Sequence, residues 1–421
     1  MSEPSFDPRS LDADSIVAEA RQRSGLSDFG DESFLDPMRH MLRAFETEAD
    51  LNQAGRTSQR ERTVGLLVNR LRIEDWLTRH PEILDEEIHV PVVVCGLPRT
   101  GTTMLHRLLA SDPASLAVLW YECRHPAPFP DNDWTGVDAR IAAAEEEIRL
   151  TLEAVPELAT THPWDPKGPD EEIMLMESTF LVWMPEAQAY VPEFGRWQRE
   201  QDRRPAYEFL KKMLRFLQWQ KRRAGSEATS WVLKAPYHLG VVELLFETFP
   251  EARVVQTHRD PLETIPSYCS LEYFLWQLGC DAPDPVRCGE LWGENWRRAL
   301  LHALEMRERH YPDRFIDINY REVAADPVGQ VRKIYQATGR PLTDEAAAQV
   351  ARWASENRRE NRPPHEYTPE KFGFTPEQLA QDFREYRERF ILADQSSRSK
   401  SLRILTKRSS NGLRKDGSVK M

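Results

Sequence analysis

Hydrophobic positions along the chain follow two different periods. In "RTVGLLVNRLRIEDWL", the apolar residues Val64, Leu67 and Leu71 recur at the spacing of a helix. The run "VPVVVC" at 90–95 is instead short, β-branched and almost fully apolar, which is typical of an interior strand of a parallel sheet. The change of period predicts a helical extension over residues 1–85, followed by an α/β domain.

Two later segments repeat this strand pattern, and a third is a further candidate strand. They are "SWVLKAP" (230–236), "ARVVQTHRDP" (252–261) and "RFIDINY" (314–320). Helical patterns follow the first two, and a long helix is expected around 290–309, before the third. Strands that alternate with helices form right-handed crossovers and a parallel sheet. The predicted fold class is therefore α/β, a P-loop-type parallel sheet flanked by helices.

The remaining segments complete the predicted organisation. A long helical and aromatic insertion, about residues 120–225, separates the first two strands and is expected to cover the site. The α/β domain is predicted to span 86–392. The tail at 393–421 is Ser-rich and basic, with eight Lys or Arg residues against one Asp from residue 395 onward. Its composition predicts a disordered, solvated tail, with peripheral contact to an anionic membrane as the alternative.

Composition narrows the class of protein. The 421 residues are 40% hydrophobic and 29% charged, and no apolar run is long enough for a transmembrane segment. The formal net charge of -12 argues against nucleic acid as a partner, so any anionic ligand needs local positive groups. Five scattered cysteines and a start without signal-peptide character predict reduced thiols and a cytoplasmic location.

The turn after the first predicted strand has the glycine spacing of a phosphate-binding loop. In "GLPRTGTT", four residues separate Gly96 from Gly101, and glycines there let backbone N–H groups approach phosphate oxygens. Thr102 stands where a Walker A loop has lysine, and Arg99 lies within the turn. Without that lysine or a Walker B aspartate, the loop lacks groups that usually bind a triphosphate and its metal ion. The loop is predicted to bind a smaller anion without metal, with a purely structural turn as the alternative.

A second candidate anion site follows the strand at 252–261. "THRDPLETIPSY" places Arg259 at the strand end and Ser267 about two turns into the next helix. Ligands of such sheets bind outside the carboxyl ends of the strands, so Arg259 is expected at the same edge as the loop. A surface ion pair of Arg259 with Asp260 or Glu263 is the alternative.

Together the two sites require a nucleotide with anionic groups at both ends, and 3′-phosphoadenylyl sulfate (PAPS) is such a molecule. Here the sequence resembles the PAPS-dependent sulfotransferase superfamily: "LPRTGTT" is similar to its 5′-phosphosulfate loop, "HRDPLETIPS" to its 3′-phosphate segment, and "WVLKAPYH" to the strand end with its sulfuryl-contacting lysine. "HP…DEE", "THRDP" and "HEYTPEKFGFTPEQL" further resemble a bacterial branch with an Arg-containing loop. The resemblance covers roughly residues 85–390.

The resemblance implies a PAPS-dependent sulfotransferase and assigns its residues. The 5′-phosphosulfate would be held by Arg99, Thr100, Gly101, Thr102 and Thr103. Arg259 and Ser267 would hold the 3′-phosphate. Lys234 would stabilise the charge on the departing phosphate, and Arg99 is a further catalytic candidate.

Two features of the cytosolic animal enzymes are missing from this sequence. Pro236 stands where they carry a histidine base, and their C-terminal glycine-rich 3′-phosphate motif is only imitated by "LRKDGSVK". The base is therefore expected elsewhere. The arginine-rich "ENRRENRPPHEY" is a candidate to assist at the 3′-phosphate.

Sulfuryl transfer to an alcohol needs a general base, for which histidine is suited by its near-neutral reference pKa. His162, in "THPWDPKGPDEE", is favoured because it lies in the insertion and matches the histidine of the bacterial branch. His238, four residues after Lys234, is the second candidate, whereas His106 and His125 are expected to be structural. Three glutamates expected on a helix either orient the histidine, act as the base or form a solvated first turn: Glu171, Glu172 and Glu177.

The predicted insertion is rich in aromatic residues: Trp164, Phe180, Trp183, Tyr190, Phe194 and Trp197. Such clusters usually form core, yet a polar base with apolar walls favours a lipophilic alcohol or phenol over a sugar as the small-molecule acceptor. A P-loop kinase or NTPase with a degenerate loop, and a non-catalytic nucleotide-binding protein on this fold, are the alternative functions. Composition and motifs leave the acceptor and the oligomeric state open.

Overall fold

A computed structural model describes residues 6–130, 134, 136–357 and 367–393. The basic tail with "LRKDGSVK", and most of the arginine-rich "ENRRENRPPHEY", lie outside these described residues. The expectations attached to both segments therefore stay predictions.

Helices make up most of the described chain. The α-helices are α1 (Ala13–Ser24), α2 (Leu35–Thr47), α3 (Gln53–Arg79), α4 (Thr102–Ala110), α5 (Trp120–Arg124), α6 (Ala139–Ala154), α7 (Ile173–Met176), α8 (Met184–Gln188), α9 (Pro192–Glu200), α10 (Arg204–Arg223), α11 (Val242–Thr248), α12 (Pro261–Trp276), α13 (Pro285–Arg309), α14 (Tyr320–Ala325), α15 (Pro327–Thr338), α16 (Asp344–Glu356), α17 (Pro376–Asp382) and α18 (Arg384–Tyr386). Short 3₁₀ helices cover Pro81–Asp85, Pro156–Thr160, Glu177–Thr179, Pro236–Gly240 and Pro369–Phe372, and a π-helix covers Arg387–Leu392.

A five-stranded parallel sheet forms the centre of the fold. Its strands are β1 (His89–Gly96), β2 (Ser115–Leu116), β3 (Ser230–Lys234), β4 (Arg253–His258) and β5 (Phe315–Asn319), in the order β2-β3-β1-β4-β5. The α/β prediction is confirmed, and the four predicted strands all form. Strand β2 was not predicted, because two residues carry no measurable period.

The apolar run of β1 is explained by burial on both faces of the sheet. Val92 and Val94 pack in one core cluster with Leu105 of α4, whereas Val93 and Cys95 pack in another with helices of the opposite layer. A strand covered on both sides needs apolar residues at consecutive positions, so alternation disappears. The same condition explains the runs in β3 and β4.

Strand register aligns the functional segments at one edge. β1 pairs with β4 from Val92↔Arg253 to Gly96↔Thr257, and with β3 at Val94↔Lys234. The carboxyl ends of β1, β3 and β4 therefore lie side by side, which is where parallel sheets bind ligands.

The N-terminal helices pack on the rest of the chain. Side chains of α2 and α3, including Phe45 and Leu67, form a core cluster that also takes in Phe180 and Phe194 from the segment between β2 and β3. Asp12 and Asn52 cap α1 and α3 through their side chains. The predicted boundaries at residues 85 and 392 stay predictions.

Two further expectations concern cysteines and membranes. All five cysteines are buried and none forms a disulfide. Within the described parts of the chain, no helix combines the length and apolarity needed to cross a bilayer.

Candidate active site

The phosphate-type loop lies between the end of β1 and the start of α4. Gly101, which precedes α4, has φ +88°, and a Cβ atom there would lie 2.6 Å from the Tyr320 ring. A larger residue would meet both the strained backbone and the ring, so glycine is required. Arg99 also has a positive φ of 68°, which for a non-glycine residue marks a tightly constrained turn.

The loop hydroxyls have different surroundings. The buried Thr100 hydroxyl donates to the Leu97 carbonyl at 2.6 Å and lies 2.6 Å from the Thr257 hydroxyl, so it is engaged within the protein. Thr102 and Thr103 instead line a cleft at the first turn of α4. Amide N–H groups in a first turn lack helical partners, so this end of α4 suits an anionic group.

Arg99, Arg259 and Ser267 are in direct contact. Arg99 Nε donates to Ser267 Oγ at 3.2 Å, and Arg259 Nη1 donates to the Arg99 carbonyl at 3.1 Å. The two motifs expected at one sheet edge are therefore brought together. Arg259 also bonds Glu263 at 2.7 and 2.9 Å, the ion pair weighed as its alternative role.

Lys234, the last residue of β3, points at the start of α4. Its Nζ donates to Glu171 Oε1 at 2.7 Å and to Thr103 Oγ1 at 3.4 Å. The side chain is fully buried, so it depends on these partners to compensate its charge. An ammonium group is thus placed beside the loop that suits an anion.

His162 forms a pair with a buried carboxylate. Its Nε2 lies 2.8 Å from Asp170 Oδ2, and Nδ1 makes no hydrogen bond to the described residues. Burial by itself would raise the pKa of Asp170, but the charge and hydrogen bond of His162 and the charge of Lys234 outweigh it and hold that pKa below its usual range. The ionised Asp170 favours the tautomer with hydrogen on Nε2, which leaves Nδ1 as a proton acceptor.

His238 forms a similar pair but is sealed in the core. Its Nε2 lies 2.7 Å from Glu172 Oε1, and its Nδ1 lies 2.6 Å from the Tyr207 hydroxyl. The side chains of His238 and Glu172 are both fully buried. No ring nitrogen of His238 is left for a ligand, so the geometry does not support it as a base.

The three glutamates near His162 were expected on one helix, but they lie on both sides of the short α7. Glu171 and Glu172 precede the short α7, and Glu177 follows it. Glu172 accepts from the Lys234 backbone N–H at 2.8 Å, whereas Glu177 bonds Arg62. Only Glu171 of the three lines the cleft beside the loop.

The other two histidines are structural in this geometry, as expected. His106 is fully buried, its Nε2 lies 3.0 Å from the Val232 carbonyl, and burial lowers its pKa to about 4. Burial likewise lowers the pKa of His125 to about 4. Both rings stay neutral near neutral pH.

Two neighbouring spaces meet at His162. The loop cleft is lined by Pro98, Arg99, Thr102, Thr103, His162, Glu171, Trp183, Pro236, Tyr237, Tyr268, Leu271 and Trp296. The apolar cavity, of about 280 Å³, is lined largely by apolar side chains such as Met174, Met184, Leu275 and Leu278. Both spaces are lined by His162, Glu171, Trp183, Tyr268 and Leu271, so these residues lie between the loop cleft and the apolar cavity.

Several contributors to the site were missed from the sequence. Arg107 of α4 donates to the Pro163 carbonyl at 2.9 Å and the Pro169 carbonyl at 3.3 Å, which fixes the loop between His162 and Asp170. Arg99 also donates to the carbonyl of Thr161, the neighbour of His162. Sequence spacing gives no signal for such carbonyl contacts, because any residue offers a carbonyl.

Comparison with known proteins identifies similar sequences and structures. A model of the Sulfotransferase family matches residues 91–344. The curated proteins named omega-hydroxy-beta-dihydromenaquinone-9 sulfotransferase Stf3, from Mycobacterium bovis and Mycobacterium tuberculosis, are each 28% identical over 255 residues. That match spans 59% of this chain and 62% of the length of each relative.

Two solved structures are similar over more of the chain. Sulfotransferase STF9 from Mycobacterium avium is 30% identical, with a TM-score of 0.81 over 92% of this chain and 98% of its own. Sulfotransferase STF1 from Mycobacterium tuberculosis H37Rv is 28% identical, with a TM-score of 0.76 over 88% of this chain and 97% of its own.

Proposed function

The chain belongs to the sulfotransferase family, and from this premise we propose that it transfers a sulfuryl group from PAPS to a hydroxyl of a small lipophilic alcohol or phenol. The observation that carries the proposal is the meeting of the two spaces at His162. An anion-binding loop lies on one side, and a cavity with mostly apolar walls lies on the other.

The residues at the loop fit the donor nucleotide. The N-terminus of α4, the hydroxyls of Thr102 and Thr103, and Lys234 surround the position proposed for the 5′-phosphosulfate. Arg259 and Ser267, which reach Arg99 from the next strand and helix, are proposed to hold the 3′-phosphate. PAPS supplies an activated sulfuryl group whose leaving group is a phosphate.

His162 is proposed as the general base. Its Nδ1 is the proton acceptor that Asp170 leaves open, and the ring borders both spaces. Proton removal from the acceptor hydroxyl would then coincide with attack on sulfur, in line with the departing phosphate and without a metal. Glu171, held by Lys234, is the alternative base.

Lys234 is proposed to stabilise charge on the leaving phosphate. Its ammonium lies within 3.4 Å of Thr103 at the start of α4 and is screened from water by burial. A fixed positive charge in such a place favours the transition state, where the leaving oxygen becomes more negative.

The acceptor class rests on the apolar cavity. Its mainly apolar lining favours a molecule with little polar surface near its hydroxyl. The name of the Stf3 relatives describes a hydroxylated menaquinone derivative as their substrate, which is lipophilic as well. A cytoplasmic location and peripheral membrane contact by the basic tail remain proposals.

Calorimetric titration tests the donor proposal. Adenosine 3′,5′-bisphosphate should bind far more tightly than 5′-AMP or ATP·Mg²⁺, and Arg259→Ala should remove this preference. Arg253→Ala is the matched control, because Arg253 lies at the other end of β4 and bonds the Asp313 carbonyl. Tightest binding of ATP·Mg²⁺ would favour a degenerate P-loop kinase, and nucleotide binding without transfer to any alcohol would favour a non-catalytic protein.

A further inference from the structure

The apolar cavity follows one side of α12. Tyr268, where it meets the loop cleft, is succeeded along the cavity wall by Leu271, Glu272 and Leu275. These positions recur at the three- and four-residue spacing of one helix face. Glu272 lies one turn from Tyr268, about 6 Å along the helix axis.

Glu272 is a buried carboxyl group in this wall. The residue is only 3% exposed, and its Oε2 has no hydrogen-bond partner within the described residues. A buried polar atom without a partner costs free energy, so its retention needs an explanation.

The other carboxylates of the cavity wall differ from Glu272 in having charged partners. Glu171 is bonded to Lys234 at 2.7 Å, and Glu147 is bonded to Arg124 at 2.8 Å. Asp170 is paired with His162 at 2.8 Å. Each of these carboxylates is compensated as an anion, whereas no cation faces Glu272 among the groups that influence it.

The surroundings keep Glu272 neutral. Burial raises the pKa of Glu272 to about 8; the nearby Tyr268 hydroxyl opposes this rise, and the nearby Glu171 and Glu186 add to it. A neutral carboxylic acid differs from a carboxylate because it carries a hydrogen and so acts as a donor. The neutral carboxyl group of Glu272 therefore has a hydrogen to donate, and it lines the apolar cavity.

We propose that the carboxyl group of Glu272 determines acceptor specificity by donating a hydrogen bond to an uncharged oxygen of an otherwise apolar acceptor. The partner is a carbonyl, ether or second hydroxyl oxygen, about one helical turn beyond the end of the cavity where sulfuryl transfer takes place. This inference rests on the proposed function, because it takes the apolar cavity to be the acceptor site. An acceptor without that oxygen leaves the donor unpaired and binds less well.

The test uses two substitutions at one position. Glu272→Gln keeps the shape and an N–H donor, whereas Glu272→Leu fills the space without a donor. Glu186→Gln is the matched control: Glu186 is also a fully buried glutamate with an unpartnered Oε2 and a raised pKa, about 7, but it lines a different cavity. Each protein is assayed with 1-dodecanol and with ether alcohols of equal length that carry one oxygen at successive chain positions.

The wild type should prefer one of the ether alcohols by about tenfold in kcat/KM, the effect of one hydrogen bond, with the difference residing in KM. Glu272→Gln and Glu186→Gln should retain this preference, and Glu272→Leu should lose it while still sulfating 1-dodecanol. An unchanged preference in Glu272→Leu would overturn the inference and leave the proposed function standing. Failure of the wild type to sulfate any alcohol would instead overturn the proposed function, and the inference with it.

Difference infrared spectroscopy gives a readout that does not depend on turnover. The spectrum of wild type minus Glu272→Gln at neutral pH should contain the C=O stretch of a protonated carboxyl. Addition of the preferred ether alcohol should shift that band, and 1-dodecanol should not. A carboxylate band in place of the protonated one would contradict the proposed donor.

Discussion

Two histidine–carboxylate pairs in this protein have almost the same geometry and different surroundings. His162 and Asp170 are separated by 2.8 Å, and His238 and Glu172 by 2.7 Å. The His162 side chain is 19% exposed and lines both the loop cleft and the apolar cavity, whereas that of His238 is fully buried. The carboxylate orients the ring in each pair, so access and the state of the second nitrogen distinguish a proposed base from a structural residue.

The difference shows how the second nitrogen decides the role. In His238 it lies 2.6 Å from the Tyr207 hydroxyl, which completes a buried network that holds α10, the end of β3 and the segment before α7 together. In His162 it has no partner among the described residues. Proton transfer needs a nitrogen that a substrate reaches, whereas stability needs both nitrogens satisfied.

Changing each histidine to glutamine tests most strongly whether the two pairs have different roles. We expect His162→Gln to lower kcat by about 10²- to 10⁴-fold with little change in thermal stability, because a general base is lost. His238→Gln should leave much more activity and lower the stability by about 1–3 kcal/mol, because Glu172 and Tyr207 lose buried hydrogen bonds. Steady-state kinetics and thermal unfolding of both variants check this; a larger loss of kcat in His238→Gln would reverse the assignment.

A substitution at Lys234 tests whether a positive charge near the His162–Asp170 pair stabilises the leaving phosphate. Lys234→Met should lower kcat by about 10²- to 10³-fold, since a preorganised charge near the leaving group is removed. Lys212→Met is the matched control, because Lys212 forms an ion pair with Glu74 away from the two spaces. Single-turnover measurement of sulfuryl transfer separates the chemical step from binding. Equal rates for the two variants would remove Lys234 from the mechanism.

Acid should weaken both pairs together. The pKa of Asp170 and the pKa of Glu172 are each held below their ordinary values, because their histidine partners outweigh the cost of burial. Such carboxylates add stability above the unfolded-state pKa values of about 4, and this stability is lost as pH falls through the lower folded-state values.

Denaturant unfolding from pH 7 downward measures this smallest effect. The unfolding free energy of the wild type should fall below about pH 4.5, because both carboxylates then become protonated and lose their pairing. Asp170→Asn and Glu172→Gln should each be less stable at pH 7 and lose less stability in acid. Parallel curves for the wild type and both variants would show that the pairs contribute nothing to acid sensitivity.

Most of the fold could be predicted from the sequence because three of its strands are buried on both faces. The runs that became β1, β3 and β4 contain consecutive apolar residues, whereas β5 alternates between buried and exposed positions. Several helices between the strands, such as α4, α10 and α13, are amphipathic. Strand β2 has only two residues, which is too short for a recognisable pattern of apolar positions. The long helix predicted around 290–309 begins earlier, at Pro285 after the cap Asp284, where the apolar spacing is weak.

The candidate site could be predicted only in part. Arg99, Arg259 and Ser267 were expected at one sheet edge, since register and parallel direction fix where strand ends lie. The partners of the two histidines could not be assigned, because residues 170–172 follow one another in sequence but contact three separate elements. Glu272 gave no signal at all, since its burial depends on the packing of α12 against other helices, among them α8 and α13.

The most direct test of the proposed function is to follow sulfuryl transfer from labelled PAPS in parallel to a long-chain alcohol, a phenol and a monosaccharide. We expect labelled sulfate esters of the alcohol or the phenol to form without added metal. The His162→Gln substitution should reduce their formation to background. The proposed function would be contradicted if the monosaccharide were sulfated faster than every lipophilic acceptor, or if no acceptor were labelled while ATP·Mg²⁺ bound more tightly than adenosine 3′,5′-bisphosphate.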